Sequence, residues 1–146
     1  MTDERVAGFL AGDRPDDVAL YLSAERVSNL ESLLEKPVAS AAGDGVLLVV
    51  DGETGRSVFQ QFTGQDAMDF TGAAMQREGH VAASLVDGTC PDDDGEQPHE
   101  PAFVFSFAEE QNEEVGGMYA RGAVVHAYAQ CSCGTAYADK WVVDER

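Results

Sequence analysis

The sequence has 146 residues, of which 44% are hydrophobic, so it is long enough for one ordinary domain with its own core. It contains no run of 18 apolar residues, and we therefore expect no transmembrane helix. Its acidic start, MTDERVAGFL, lacks the basic region of a signal peptide. We predict a cytoplasmic protein with a single domain that covers residues 1–146.

The formal net charge is −18, from 27 acidic residues against seven arginines and two lysines. Such self-repulsion destabilises a compact chain at low salt, whereas molar salt screens most of it. The composition therefore indicates a halophilic protein. An acidic partner-binding surface or a DNA mimic is the alternative interpretation. No cluster of Lys or Arg is present, so direct DNA binding is not expected. A ribonucleoprotein partner stays open, because counterion release is weak for every protein in molar salt.

The first third of the chain is predicted to be helical over residues 3–36. Ser28 followed by Glu31 fits a capping box at the start of a second helix, which Pro37 would end. The small and polar residues 38–45 are predicted to form a loop.

The rest of the chain favours strands, with one helical stretch at 54–79 that Gly64 is expected to break in two. Residues 87–101 are rich in Pro, Gly and Asp and predict a surface loop, and 111–122 predict a turn region with room for another short strand. The predicted strands are 46–53, 80–86, 102–110, 123–131 and 135–143. This order predicts an α+β fold, with N-terminal helices packed on a mainly antiparallel sheet that ends in a C-terminal hairpin.

The three cysteines are the strongest chemical signal in the sequence. Cys131 and Cys133 lie in the predicted hairpin turn CSCG, and Cys90 lies in the loop segment GTCPDDDG. A disulfide between Cys131 and Cys133 would close a very small ring, and a cytosolic setting disfavours disulfides. Two thiolates in one tight turn favour a metal, and zinc takes four N or S ligands in a tetrahedron. We predict a structural zinc site, with three free structural thiols or a redox role as alternatives.

The fourth ligand is not determined by the spacing. His99 is best placed, because it shares a loop with Cys90, and the other candidates are His80, His126, an Asp of the run that follows Pro91, or water. On a regular strand, His126 points away from the face that carries Cys131.

The acidic segment at the end of the predicted strand 102–110 is the second candidate site. Its side chains could bind a partner or a hard cation, although the spacing of an EF-hand is absent. The predicted partner-binding residues are Glu109, Glu110, Gln111, Asn112, Glu113 and Glu114. In a chain this acidic, a solvated loop is the simpler interpretation.

Other motifs indicate little chemistry. The segment DGETGRS, residues 51–57, lies between a strand and a helix but lacks the Lys of a phosphate-binding loop, so a turn with a helix start is the better interpretation. No spacing selects a Ser–His–Asp or Cys–His catalytic arrangement.

Three segments carry a resemblance to a known family: DGVLLVVDGETGRSVFQ, DGTCP and FVFSFAEEQNEEVGGMYARGAVVHAYAQCSCGTAYADKWVV. Together they resemble a family of small acidic haloarchaeal proteins of unknown function, over nearly the whole chain. The resemblance implies a halophilic single domain and no activity. The TCP and CxCG pieces are also similar to the cysteine knuckles of small zinc-finger proteins, from which this chain departs because no second Cys follows Pro91.

These observations predict a zinc-stabilised, non-enzymatic adaptor or regulatory domain that binds a protein or a ribonucleoprotein. The alternative is a metal-dependent or thiol-dependent enzyme, or a redox sensor that uses Cys131 and Cys133. The oligomeric state is not predicted.

Overall fold

The computed structural model describes residues 2–14, 16–24, 39–42, 45–82, 84–92, 95 and 99–143. Its helices are α1 (Thr2–Leu10), α2 (Gly52–Thr63), α3 (Ala67–Ala74) and the single-turn α4 (Met118–Arg121). Its strands are β1 (Asp17–Ser23), β2 (Ala39–Ala42), β3 (Gly45–Asp51), β4 (His80–Val81), β5 (Gly88–Thr89), β6 (Pro101–Glu109), β7 (Val124–Cys131) and β8 (Ala136–Val142).

Six strands form one sheet in the order β2-β3-β1-β6-β7-β8, and each neighbouring pair is antiparallel. The register runs across the centre of the sheet from Leu48 through Leu20 and Phe105 to Tyr128 and Ala138. The short strands β4 and β5 pair with each other in a separate ribbon. The α+β class and the C-terminal hairpin are thus confirmed, although α2 and α3 lie in the middle of the chain rather than at its N-terminus.

The sheet has two covered faces, because successive side chains of a strand point to opposite sides. We call the side that carries Cys131 the cysteine face and the side that carries His126 the histidine face. On the cysteine face, Phe9 of α1 and the segment around Leu85 pack over the sheet. On the histidine face, Phe59 of α2 and Phe70 of α3 do so.

Local hydrogen bonds define the two helices of the histidine face. The Asp51 carboxylate caps α2 by accepting from the Thr54 N–H, and Gly64 ends it with φ at 75°, in the left-handed region that glycine tolerates best. Asp66 then caps α3 by accepting from the N–H groups of Met68 and Asp69. The predicted break at Gly64 and the predicted helix start in residues 51–57 are both confirmed.

The prediction of helix over 3–36 is wrong for residues 17–23, which form β1. Every residue of β1 is buried, because it is a central strand covered on both faces. A continuous apolar run of this kind resembles the stripe of a buried helix, so periodicity alone cannot separate the two. Helix α1 agrees with the prediction, and the proposed capping box with Pro37 lies outside the described residues.

Smaller differences concern the connecting segments. The predicted loop 38–45 contains β2, which pairs with β3 at the edge of the sheet. Among the described residues of the predicted strand 80–86, only the first two form a strand, and the turn region 111–122 contains α4 instead of a strand. The other four predicted strands agree with the structure to within two residues. None of the helices in the described part of the chain is both long and apolar enough to span a membrane.

We expect Phe59→Ala to lower the free energy of unfolding by about 3–5 kcal/mol, the usual cost of a cavity left by a buried Phe. Phe59 is fully buried, and its ring lies 5.2–5.5 Å from those of Phe70, Phe103 and Phe105. Urea unfolding at constant salt measures the change. The matched control is Phe62→Ala in the same helix, which removes a partly buried ring and should cost clearly less. Equal losses in the two variants would contradict this description of the core.

Candidate metal centre

Four potential metal ligands meet at one end of the cysteine face. One ligand atom each from Cys90, His99, Cys131 and Cys133 lies within 4.8 Å of all the others. Cys90 and His99 come from the loop between β5 and β6, Cys131 is the last residue of β7, and Cys133 lies in the turn between β7 and β8. Two segments far apart in the sequence therefore supply two ligands each.

The turn that carries two of the thiols is held by backbone hydrogen bonds. The Cys131 N–H donates to the Thr135 carbonyl at 2.8 Å, and the Gly134 N–H donates to the Cys131 carbonyl at 2.9 Å. Gly134 has φ at 97°, a left-handed conformation that strains other residues. The backbone therefore forms the tight CSCG turn that the sequence predicts.

The second segment is docked onto the turn through its backbone. The Ser132 N–H donates to the Glu100 carbonyl at 2.8 Å, and the Glu100 N–H donates to Ser132 Oγ at 3.3 Å. These bonds position the residue before Glu100, so that His99 Nδ1 lies 3.3 Å from Cys131 Sγ. His99, the best placed of the fourth-ligand candidates, is the one that the structure brings to the three thiols.

The separations between ligand atoms suit a single ion. Cys90 Sγ lies 3.8 Å from Cys133 Sγ, far beyond a disulfide bond of about 2.05 Å. Around a tetrahedrally coordinated ion with metal–sulfur bonds of about 2.3 Å, two sulfur ligands lie about 3.8 Å apart, and a sulfur and a nitrogen ligand lie about 3.6 Å apart. The separations between Cys90 and Cys133 and between Cys131 and His99 are thus close to the edges of such a tetrahedron, and all four ligand atoms lie within 4.8 Å of one another.

Burial differs among the four residues. Cys90 and Cys131 are 3% and 1% exposed, His99 is intermediate, and Cys133 faces solvent. Burial, followed by the adjacent thiols, raises the pKa of the Cys90 thiol to about 12, although the Asp92 N–H donates to its sulfur at 3.4 Å and acts in the opposite direction. A bound cation would favour the thiolate, which is the form that coordinates metals.

The pKa of the exposed Cys133 thiol is lowered instead. The hydroxyl and then the backbone N–H of Thr135 lower the pKa of the Cys133 thiol to about 6. The hydroxyl has one proton, which it donates to Asp92 Oδ2 at 2.6 Å, while it lies 3.4 Å from Cys133 Sγ. We therefore assign the stabilisation of the Cys133 thiolate mainly to the backbone N–H.

Asp92 connects both ligand-bearing segments to Arg77, which follows α3. Its carboxylate accepts two hydrogen bonds from the Arg77 guanidinium, at 2.6 and 2.8 Å, and a third from Thr135. The Arg77 bond and then the Thr135 bond lower the pKa of Asp92 to about 2. The sequence offered an Asp of this run as a possible fourth ligand, but the Asp92 carboxylate is engaged elsewhere. Asp93 and Asp94 lie outside the described residues.

The remaining predicted site residues lie away from the cluster. His126 points to the histidine face, as the strand period predicts, and His80 lies 3.7 Å from Asp139. Glu109, Glu110, Gln111 and Asn112 line a separate depression near α4, whereas Glu113 and Glu114 do not. Arg77 and Thr135 were not singled out from the sequence. Thr135 directly follows the CSCG turn and could have been suspected, whereas nothing in the sequence relates Arg77 to the cysteines.

We expect Asp92→Ala to weaken metal binding by about tenfold, which is the lower end of the effect of removing a residue that orients metal ligands. The variant frees Arg77 and Thr135 and loosens the segments that carry Cys90 and Cys133. Competition with a chromophoric chelator measures the affinity. Asp13→Ala, which removes an equal charge from an exposed position, is the control and should bind as the wild type does. Equal weakening in both variants would show a general charge effect instead.

Comparison with known proteins gives one match. A family model described as a family of unknown function (DUF5807) matches residues 39–144, a segment that contains all four residues of the cluster. No curated protein and no solved structure matches the chain. The match covers well over half of the sequence and confirms the resemblance to a family of unknown function. The chain therefore belongs to the family of unknown function DUF5807.

Proposed function

We propose that Cys90, His99, Cys131 and Cys133 bind one zinc ion as a structural centre. The observation that carries this proposal is the convergence of three sulfur atoms and one imidazole nitrogen within 4.8 Å, from two segments that the backbone already holds together.

Thiolate and imidazole donors support zinc rather than calcium or magnesium, which prefer oxygen. The cluster is compact, with the sulfurs of Cys90 and Cys133 only 3.8 Å apart. A cluster of two or more irons would place bridging sulfides and a second metal between the ligands, and it would need a wider arrangement. The size of the site therefore favours a single ion.

Four protein donors complete a tetrahedron and leave no position for water or substrate, which is typical of structural zinc. The ion would join the long loop before β6 to the turn before β8, and β8 is an edge strand of the six-stranded sheet. Because such a site does not exist in the unfolded chain, the free energy of metal binding would stabilise the fold.

Metal content per chain tests the proposal. We expect one zinc per chain in protein purified without a histidine tag, and its loss from Cys131→Ser. In His99→Asn the zinc should be removed by a chelator that leaves the wild type loaded, because one of four ligands is missing. The control is His80→Asn, since His80 is exposed and lies outside the cluster. Absence of metal, or iron in place of zinc, would contradict the proposal.

We further propose that the zinc-bound domain is non-enzymatic and binds a partner protein at high salt in the cytoplasm. The charge of −18 with only two lysines supports the high-salt setting. The loop Glu109–Glu114 supports the recognition role, because its shape is preformed. The Asn112 N–H donates to the Tyr119 carbonyl at 2.7 Å, and Gln111 Nε2 donates to the Ala120 carbonyl at 2.7 Å.

We expect Glu113→Gln combined with Glu114→Gln to reduce recovery of the partner protein while the bound zinc is retained. Both side chains are exposed, so the change removes charge without altering the loop hydrogen bonds of Gln111 and Asn112. Quantitative pull-down at several salt levels measures the recovery. A charge-matched double variant, Asp13→Asn with Asp16→Asn, is the control. Equal recovery by the two variants would contradict a role for the loop, and recovery of an RNA-dependent particle would identify the other class of partner.

A further inference from the structure

A groove crosses the histidine face beyond the end of α3, on the side of the sheet opposite the metal centre. Its volume is about 640 Å³, within the usual range for binding sites. The floor consists of Phe107, His126 and Lys140, which are registered neighbours on β6, β7 and β8, together with Tyr128 and the small residue Ala138. Residues 75–79, which follow α3, form one wall, and the start of α4 forms the other.

Aromatic rings dominate the floor and one wall. The rings of Tyr119, His126, Phe107 and Tyr128 follow one another as near-parallel neighbours, with centroids 6.0, 5.0 and 5.8 Å apart. Burial lowers the pKa of His126, although the adjacent Glu109 acts in the opposite direction. The rings turn their faces toward one another, so a planar cation can stack on the row at its Tyr119 end, beside Glu109, and the guanidinium group of arginine is the planar cation that does so most often.

The charges that line the groove also favour a cation. Carboxylates come from Glu78 and Glu109, against the cations of Lys140 and Arg77. The Asp139 carboxylate belongs to the cysteine face, where it accepts from the Val81 N–H at 3.0 Å. The Arg77 guanidinium is already paired with Asp92, which lies outside the groove. Glu109 is half exposed and holds His126 Nε2 at 3.0 Å, so it presents a fixed negative charge beside the rings.

The surface extends further than a small molecule would cover. Glu109 and Tyr119 also line the adjacent depression under the acidic loop, so the two concavities adjoin each other. Exposed apolar side chains lie at both ends, with Met75 65% and Val115 63% exposed. An extended surface with apolar ends and an acidic, aromatic centre matches a protein segment that presents one positively charged side chain.

We propose that this groove binds an arginine side chain of a partner protein, with the guanidinium stacked at the Tyr119 end of the aromatic row and paired with Glu109. This proposal rests on the proposed partner-binding role and adds which side chain of the partner is bound. It does not require the metal, since no residue of the groove belongs to the metal cluster.

An NMR titration of the full-length protein with the peptide acetyl-Gly-Arg-Gly-amide tests the proposal. We expect the largest shift changes at Tyr119, His126 and their neighbours, and weaker binding by the peptide with Lys in place of Arg, because an ammonium group does not stack as a planar cation does. Glu109→Gln should weaken binding of the Arg peptide by about tenfold, through loss of a charge-assisted hydrogen bond.

The controls address the general attraction of cations to a chain with a charge of −18. Asp13→Asn removes an equal charge from an exposed residue that lines neither the groove nor the adjacent depression, and should leave binding unchanged. Equal binding of the Lys peptide, equal effects of the two variants, or shifts spread over the surface would overturn the proposal. Binding of free arginine amide as tight as that of the peptide would overturn the assignment to a partner protein. Zinc content, measured on the same samples, shows separately whether the proposed metal centre is present.

Discussion

The two-residue period of strand β7 determines where the chemistry of this protein lies. Cys131 belongs to the row of side chains that packs with α1, and His126 belongs to the opposite row, five positions earlier. The strand therefore cannot bring this histidine to the cysteines, and the fourth donor has to come from another segment. His99 provides it, because the loop before β6 is hydrogen-bonded to the turn after β7. The same period leaves His126 free to join an aromatic row on the other face.

One short segment touches both sites. The Arg77 carbonyl accepts from the Ala138 N–H at 2.9 Å, and the Gly79 N–H donates to the Ala138 carbonyl at 3.1 Å, so residues 77–79 lie along the edge of β8. There they form a wall of the groove, while the Arg77 side chain reaches Asp92 beside the metal ligands. An ion that fixed the ligand loop would therefore also restrain this wall. In this account the metal does not take part in recognition but limits the conformations of the surface that does.

The sequence was informative wherever one local pattern decided the structure. The alternating phenylalanines of β6, the glycine at the end of α2 and the CSCG turn are such cases. It was misleading at β1, whose residues are buried on both faces and lack a period, because only the position of β1 between β3 and β6 makes it a strand. For the metal cluster, the cysteines and His99 could be chosen by residue type and loop membership. Arg77 could not, because its relation to Asp92 arises from tertiary packing. The groove was equally hidden, since its floor combines three strands.

The central claim is that three sulfurs and one imidazole surround a single zinc ion, and zinc K-edge X-ray absorption of the purified protein tests it most directly. The account predicts three sulfur neighbours at about 2.3 Å and one nitrogen at about 2.0–2.1 Å, with no metal–metal vector. The His99→Asn variant should lose the imidazole scattering and keep the three sulfurs. A spectrum dominated by oxygen neighbours, or one unchanged in that variant, would contradict the assignment of Cys90, His99, Cys131 and Cys133 as the metal centre.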